Sequence, residues 1–154
     1  MALFAGLLED PAPFASGAVR YSDSYPGEEK RRRIVVVVTV AGQTSTPAVV
    51  DTGTPWCILD PEIAEQLDAF ERTERFPGLL IRGEKWDGWL GRVEITLNAE
   101  HGESVLVEAT AFVPDLDAGQ QWPHPNFVGL GLLERIRFAI DPSENMFYFG
   151  LTAS

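Results

Sequence analysis

The sequence has one cysteine, Cys57, in 154 residues. No disulfide can form within the chain, and a reducing compartment is the setting such a sequence suits, so a cytoplasmic location is expected. Histidine is nearly as scarce. His101 and His124 lie far apart, and neither has a Cys or His beside it at ligand spacing, so no metal site and no other cofactor is expected. Basic residues are few as well: 12 Lys and Arg stand against 23 Asp and Glu, a formal net charge of −11, which repels phosphate backbones. The one basic cluster, Lys30-Arg31-Arg32-Arg33, directly follows Glu28-Glu29 and abuts an apolar run. It reads as a solvated flank, and no nucleic-acid partner is expected. Long apolar stretches are missing too. The longest, Ile34 to Val38, is far short of a bilayer span, and the opening MALFAGLLED has no basic segment before its apolar part, so the expectation is a soluble chain without signal peptide or membrane segment.

What is present is a hydrophobic content of 45%, enough for one compact core in a chain too short for two full lobes. Residues 1–33 are rich in Pro, Gly and small polar side chains and read as a partly irregular N-terminal arm. Within it Phe4, Leu7 and Leu8 can pack on the domain or on a partner. Residues 34–154 read as the folded domain. IVVVVTV from Ile34 is a continuous β-branched run, expected for a strand buried on both faces. Ala41-Gly42-Gln43 turns it back through Pro47 to Val50, a hairpin that delivers Asp51. Asp60 and Pro61 are cap and first residue of a short helix with Ile63, Ala64 and Leu67 on one face. A projecting hairpin lies between Leu79 and Arg92, with Asp87-Gly88 or Gly83 at its tip. Two alternating strands meet around His101-Gly102. A Pro- and Gly-containing loop then leads to a strand ending at Val128, a short helix through Leu132 to Ile136, and a last hairpin turning at Asp141 to Asn145.

The chemistry-bearing stretch is AVVDTGTPWCIL, Ala48 to Leu59. Asp and Gly are ordinary turn residues. Here, however, the turn sits between two apolar runs, where a carboxylate is expensive to bury unless something holds it. Asp117-Ala118-Gly119 looks similar but has loop-like surroundings, and Asp141-Pro142 reads as hairpin punctuation. Cys57, with no His nearby in sequence, reads as a small buried hydrophobe rather than a nucleophile.

Val49-Val50-Asp51-Thr52-Gly53-Thr54 together with Phe127-Val128-Gly129, in this order of elements over about Ile34 to Leu151, resembles the retropepsin-like aspartic protease family. The resemblance implies an all-β, single-lobe acid-protease barrel with one or two short helices, working as a symmetric homodimer. Peptide hydrolysis by carboxylates needs one ionised acid to take a proton from water and one protonated acid to polarise the carbonyl, about 3 Å apart and sharing a proton. The chain has one Asp-Thr/Ser-Gly motif, so the second acid would be Asp51 of another copy, brought close by a twofold axis. By the same resemblance Thr52 would bond across that axis, Gly53 would admit the substrate backbone, and Phe127, Val128 and Gly129 would support the catalytic loop. Thr54, Trp56 and Trp86 would border a groove for a peptide or protein substrate, under a flap formed by the projecting hairpin. Any of the tryptophans can equally be a packing residue.

Two departures stand out. Retroviral members place an acidic residue soon after Asp-Thr-Gly and an Arg after the later Gly, and these pair; Pro55 and Leu130 stand there in this chain. WDGW is also bulkier than a Gly-rich flap tip, which would narrow the cleft. The competing reading is a non-proteolytic peptide-binding or dimerisation module on the same fold. Self-processing of the arm is a further expectation.

Overall fold

The computed structural model describes residues 6–8, 13–28, 32–67 and 70–152. Strand β1 is Gly17–Arg20, β2 Val35–Val40, β3 Thr44–Val50 and β4 Cys57–Ile58; helix α1 is Pro61–Glu65. Then follow β5 Glu71–Ile81, β6 Glu84–Leu97, β7 His101–Gly102, β8 Val105–Pro114 and β9 Phe127–Val128. Helix α2, Leu130–Leu133, and the hairpin of β10, Ile136–Asp141, with β11, Met146–Leu151, complete the described chain.

The fold is all-β. Seven strands run in the order β2-β3-β9-β4-β8-β6-β5, and β2 also pairs with β6 through Val38↔Leu97 and Val40↔Ile95. That extra pairing closes six strands into a barrel and leaves β5 as a flange on β6. Closure removes the open edges that a sheet this apolar would otherwise expose. Inside lie Val36, Val38, Val40, Ile95 and Leu97, all at most 2% exposed, with Phe147 and Phe149 of β11 in the same cluster. Alternate residues of the same strands face a second cluster containing Val35, Val49, Ile58, Phe112 and Phe127. The β-branched run of β2 is thus buried along its inner face at Val36, Val38 and Val40 but on its outer face only at Val35, which corrects the expectation of a strand buried on both faces. Val37, 49% exposed, and half-buried Thr39 leave that outer face open beyond Val35.

That second sheet has the order β10-β11-β1-β7. Within the expected irregular arm, β1 pairs antiparallel with β11, Ala18 opposite Tyr148, so the N-terminal segment is stitched to the C-terminal hairpin. Leu7 and Leu8 pack against Ala15, Ala18 and Tyr148, which puts them on the domain; Phe4 lies outside the described residues. Helix α1 starts as its sequence predicts, with Asp60 Oδ1 accepting the Glu62 N–H at 2.9 Å and Ala64 and Leu67 buried. Helix α2 is shorter than the expected stretch to Ile136. It makes one turn and stops, because Ile136 is claimed by β10 through its pairing with Leu151. No helix among the described residues is long and apolar enough to cross a membrane.

Between the two tips open for the projecting hairpin, the structure selects Gly83. Ile81 pairs with Glu84, and the two linking residues, Arg82 and Gly83, have φ of 50° and 85°, the paired left-handed geometry of the tightest hairpin turns. Asp87-Gly88 lies inside β6 instead. Asp87 Oδ1 accepts the Gly78 N–H at 2.8 Å across a strand irregularity. A Cβ on Gly88 would sit 2.3 Å from the Val113 carbonyl oxygen and 2.7 Å from the Phe112 ring. Gly88→Ala should therefore destabilise the protein by about 1–3 kcal/mol through overpacking. Urea unfolding reads this directly, and a variant as stable as the parent would contradict the close approach.

Candidate functional site

Asp51 emerges where β3 ends, and its position is fixed from several sides. Val49 and Val50 pair with Phe127 and Val128 of β9 in parallel register, and the Asp51 N–H donates to the Val128 carbonyl at 2.9 Å. Strand β9 thereby holds the loop from one side. The loop folds back on its own carboxylate, with the Gly53 N–H donating to Asp51 Oδ1 at 2.8 Å. On the far side, the Leu130 N–H donates to the Thr54 carbonyl at 2.9 Å, and a Cβ on Gly129 would lie 2.2 Å from the Trp56 carbonyl oxygen. Phe127, Val128 and Gly129 are all buried against the loop. Asp51 itself is half-buried, while Thr52 and Gly53 are exposed.

Two hollows meet at Asp51. The smaller, about 190 Å³, is lined by Gly53, Thr54, Ile58 and Phe127 from the barrel and by Leu79, Leu80, Ile81 and Arg82 from the tip of the β5–β6 hairpin. The larger, about 560 Å³, is lined by Tyr21, Asp23, Val49, Val50, Pro142 and Asn145 among others. Arg33 and Asp51 line both. The tip of the projecting hairpin therefore shares a cavity with the carboxylate, which is the placement a covering element needs.

The tryptophans are arranged differently from the sequence expectation. Trp86 is 7% exposed and packs edge-on against Trp122 at 4.8 Å between ring centroids; it does not line either hollow. Trp56 is half-buried and packs edge-on against Phe76 at 4.7 Å, again outside both linings. Trp89 lies under the guanidiniums of Arg72 and Arg75 at 5.1 and 5.6 Å. The apolar surface near Asp51 comes instead from Ile58, Leu79, Ile81 and Phe127. Cys57 is fully buried, and burial pushes its thiol up to about 12, against a smaller opposing effect of a backbone hydrogen bond involving Gly129. It stays protonated and is no nucleophile. Asp117-Ala118-Gly119 is a turn, Gln120 N–H donating to the Asp117 carbonyl at 2.9 Å. Among the described residues, no group of three or more His, Cys, Asp and Glu is placed to hold a metal ion.

Two features escape a reading of the sequence alone. Asn126 is 4% exposed; its Oδ1 accepts the Asp60 N–H at 2.7 Å, its Nδ2 donates to Thr46 Oγ1 at 3.0 Å, and its carbonyl accepts the Val49 N–H at 2.8 Å. One side chain thus ties the two flanks of the Asp51 loop together. The other is an ionic trio. Arg33 Nε donates to Glu28 Oε1 at 3.1 Å and Arg82 donates to Glu28 Oε2 at 2.9 Å, joining the segment before β2 to the hairpin tip. Burial raises the Glu28 carboxyl pKa, but hydrogen bonds from Arg33 and Arg82, with their charges, outweigh it and leave the value below the ordinary 4.5. A carboxyl depressed in the folded state adds stability above its unfolded pKa and loses that contribution as pH falls through the folded one. The trio should hold at neutral pH and release below about 4.5. A Glu28 side-chain carbon titration by NMR should show a midpoint under that of a free glutamate, and Arg82→Gln should move it up; equal midpoints in both proteins would refute the pairing.

No family model matches the chain, and no curated protein does. Among solved structures, the chain is similar to EIAV protease complexed with the inhibitor HBY-793, at 18% identity and a TM-score of 0.46, over 69% of this chain and 86% of that one.

Proposed function

We propose that the protein is a homodimeric aspartic endopeptidase in which a water held between two Asp51 carboxyls, one from each chain, attacks the peptide carbonyl. The observation that carries the reading is Asp51 itself: a carboxylate on a loop braced by β9, next to a hollow that has one apolar wall and is bordered by a hairpin tip. The chemistry needs a second carboxyl near the first, sharing one proton; the smaller hollow, where the apolar wall and the hairpin tip lie, is lined by no acid other than Asp51, and Asp23 lines only the larger one. A twofold axis beside Asp51 supplies it. Exposed Thr52 and Gly53, and Leu130 at 40% exposure, are the surface that axis would bury. In one carboxyl pair, the ionised member takes a proton from water as the oxygen bonds to the carbonyl carbon, and the protonated member hydrogen-bonds the developing oxyanion. Return of a proton to the amide nitrogen then releases the amine.

The dimer joins two chains of formal charge −11, and that repulsion is screened by salt. Sedimentation equilibrium should show association strengthening as sodium chloride rises, with specific activity following the dimer fraction. A protein that cuts peptides while remaining monomeric would end the proposal.

A further inference from the structure

We infer that Arg33 and Arg82 form a carboxylate-binding subsite at the rim of the smaller hollow, occupied in the free protein by the chain's own Glu28 and in the working enzyme by an acidic side chain of the peptide. This rests on the reading of the Asp51 hollow as a peptide cleft and names the substrate class: extended peptides with an apolar residue close to a Glu or Asp.

Arg33 and Arg82 both line the hollow that contains Asp51, whereas Glu28 does not. One carboxylate between two guanidiniums leaves the trio with a net positive charge in a chain that is otherwise strongly acidic. A planar guanidinium is matched to a carboxylate in both geometry and charge. The side chains of Arg33 and Arg82 are 17% and 29% exposed, sheltered enough for such a contact to discriminate but open to the groove. Glu28 reaches them from the segment before β2, Arg82 from a two-residue turn at the end of a long hairpin. The Glu28 contact thus joins two elements that substrate entry would part. Beside the charge, Ile58, Leu79, Ile81 and Phe127 give the hollow an apolar wall, and about 190 Å³ fits one medium-sized side chain. Apolar anchor and adjacent charge together define the motif. Glu28 acts as an internal competitor, so an acidic peptide must displace it before the hairpin tip closes on the substrate.

The test uses the whole 154-residue chain with Asp51→Asn, which lacks the acid proposed to cut and so should leave a bound peptide intact. The probes are fluorescein-labelled octapeptides containing one leucine in an alanine and serine background, with Glu or Gln scanned through the neighbouring positions. Anisotropy should show the best Glu peptide binding about tenfold tighter than its Gln twin, the size expected of a charge-assisted contact. That ratio should shrink with added salt, fall to near one in Arg82→Gln, and partly return in Arg82→Lys. Glu28→Gln should tighten the Glu peptides several-fold. Equal binding of Glu and Gln peptides, no binding of either, or a ratio that survives Arg82→Gln and Arg33→Gln would each overturn the subsite. Hydrolysis by the wild-type chain is read separately: if it is absent while the Glu preference holds, the endopeptidase reading fails and the subsite stands.

Discussion

Replacing Asp51 with Asn is expected to lower peptide hydrolysis by at least about 10³-fold while leaving the fold intact. An amide has no titratable proton to share with its counterpart across the axis and is too weak a base to take one from water, so both steps of the proposed chemistry lose their agent. The structural duty of the side chain survives the change. Asp51 Oδ1 accepts the Gly53 N–H, and an asparagine carbonyl oxygen can accept the same bond; circular dichroism and the urea midpoint should therefore stay close to wild type. Mixing the two proteins gives a sharper result. If one active centre needs two Asp51 residues, an equal mixture that has exchanged subunits keeps about a quarter of the activity, because only dimers with both acids work. Retention of half would show that each chain acts alone.

Phe112→Ala is expected to produce the largest loss of stability of a single core substitution, about 3–5 kcal/mol. Phe112 is 0% exposed and stands at a junction: it pairs with Ile58 of β4 and Leu90 of β6, its carbonyl accepts the Leu59 N–H, and its ring meets Phe76 of β5 edge-on at 6.4 Å. The outer end of that ring reaches close to Gly88 of β6, where a Cβ would lie 2.7 Å from it, so backbone lines the space its removal leaves and cannot easily move to fill it. The void would open between the barrel and the projecting hairpin. Peptide binding should then weaken along with the unfolding free energy, whereas Phe112→Leu, which keeps most of the volume, should lose much less of both. Comparable stability of the Ala and Leu variants would show that the site collapses freely and that the ring does not set the hairpin's position.

The hairpin and the ionic trio show where reading a sequence runs out. Both Asp87-Gly88 and Gly83 offer turn chemistry, and local preference does not choose between them. The choice falls to cross-strand register: Trp89 must lie opposite Val113 and Leu90 opposite Phe112, which carries β6 straight through Asp87-Gly88. Trp86 looks like groove surface by its nearness to a turn, but two-residue alternation along a strand that starts at Glu84 turns it toward the second apolar cluster. Arg33 is simply one of four consecutive basic residues in sequence. Its partners, Glu28 and Arg82, are set by where the segment before β2 crosses the hairpin tip, which is a long-range contact without any local periodicity.

The sequence by itself determined the mostly β character, the capped helix after Asp60, the strand that delivers Asp51 and the inert, buried character of Cys57, because each follows from alternation, turn residues or side-chain chemistry within a few neighbours. Only the tertiary structure decided that β2 meets β6 to close the barrel, that β1 is stitched to β11, that Asn126 braces the Asp51 loop and that two arginines frame its hollow. Those contacts join residues distant in the chain, and they are selected by the packing of whole strands rather than by any preference a short segment carries.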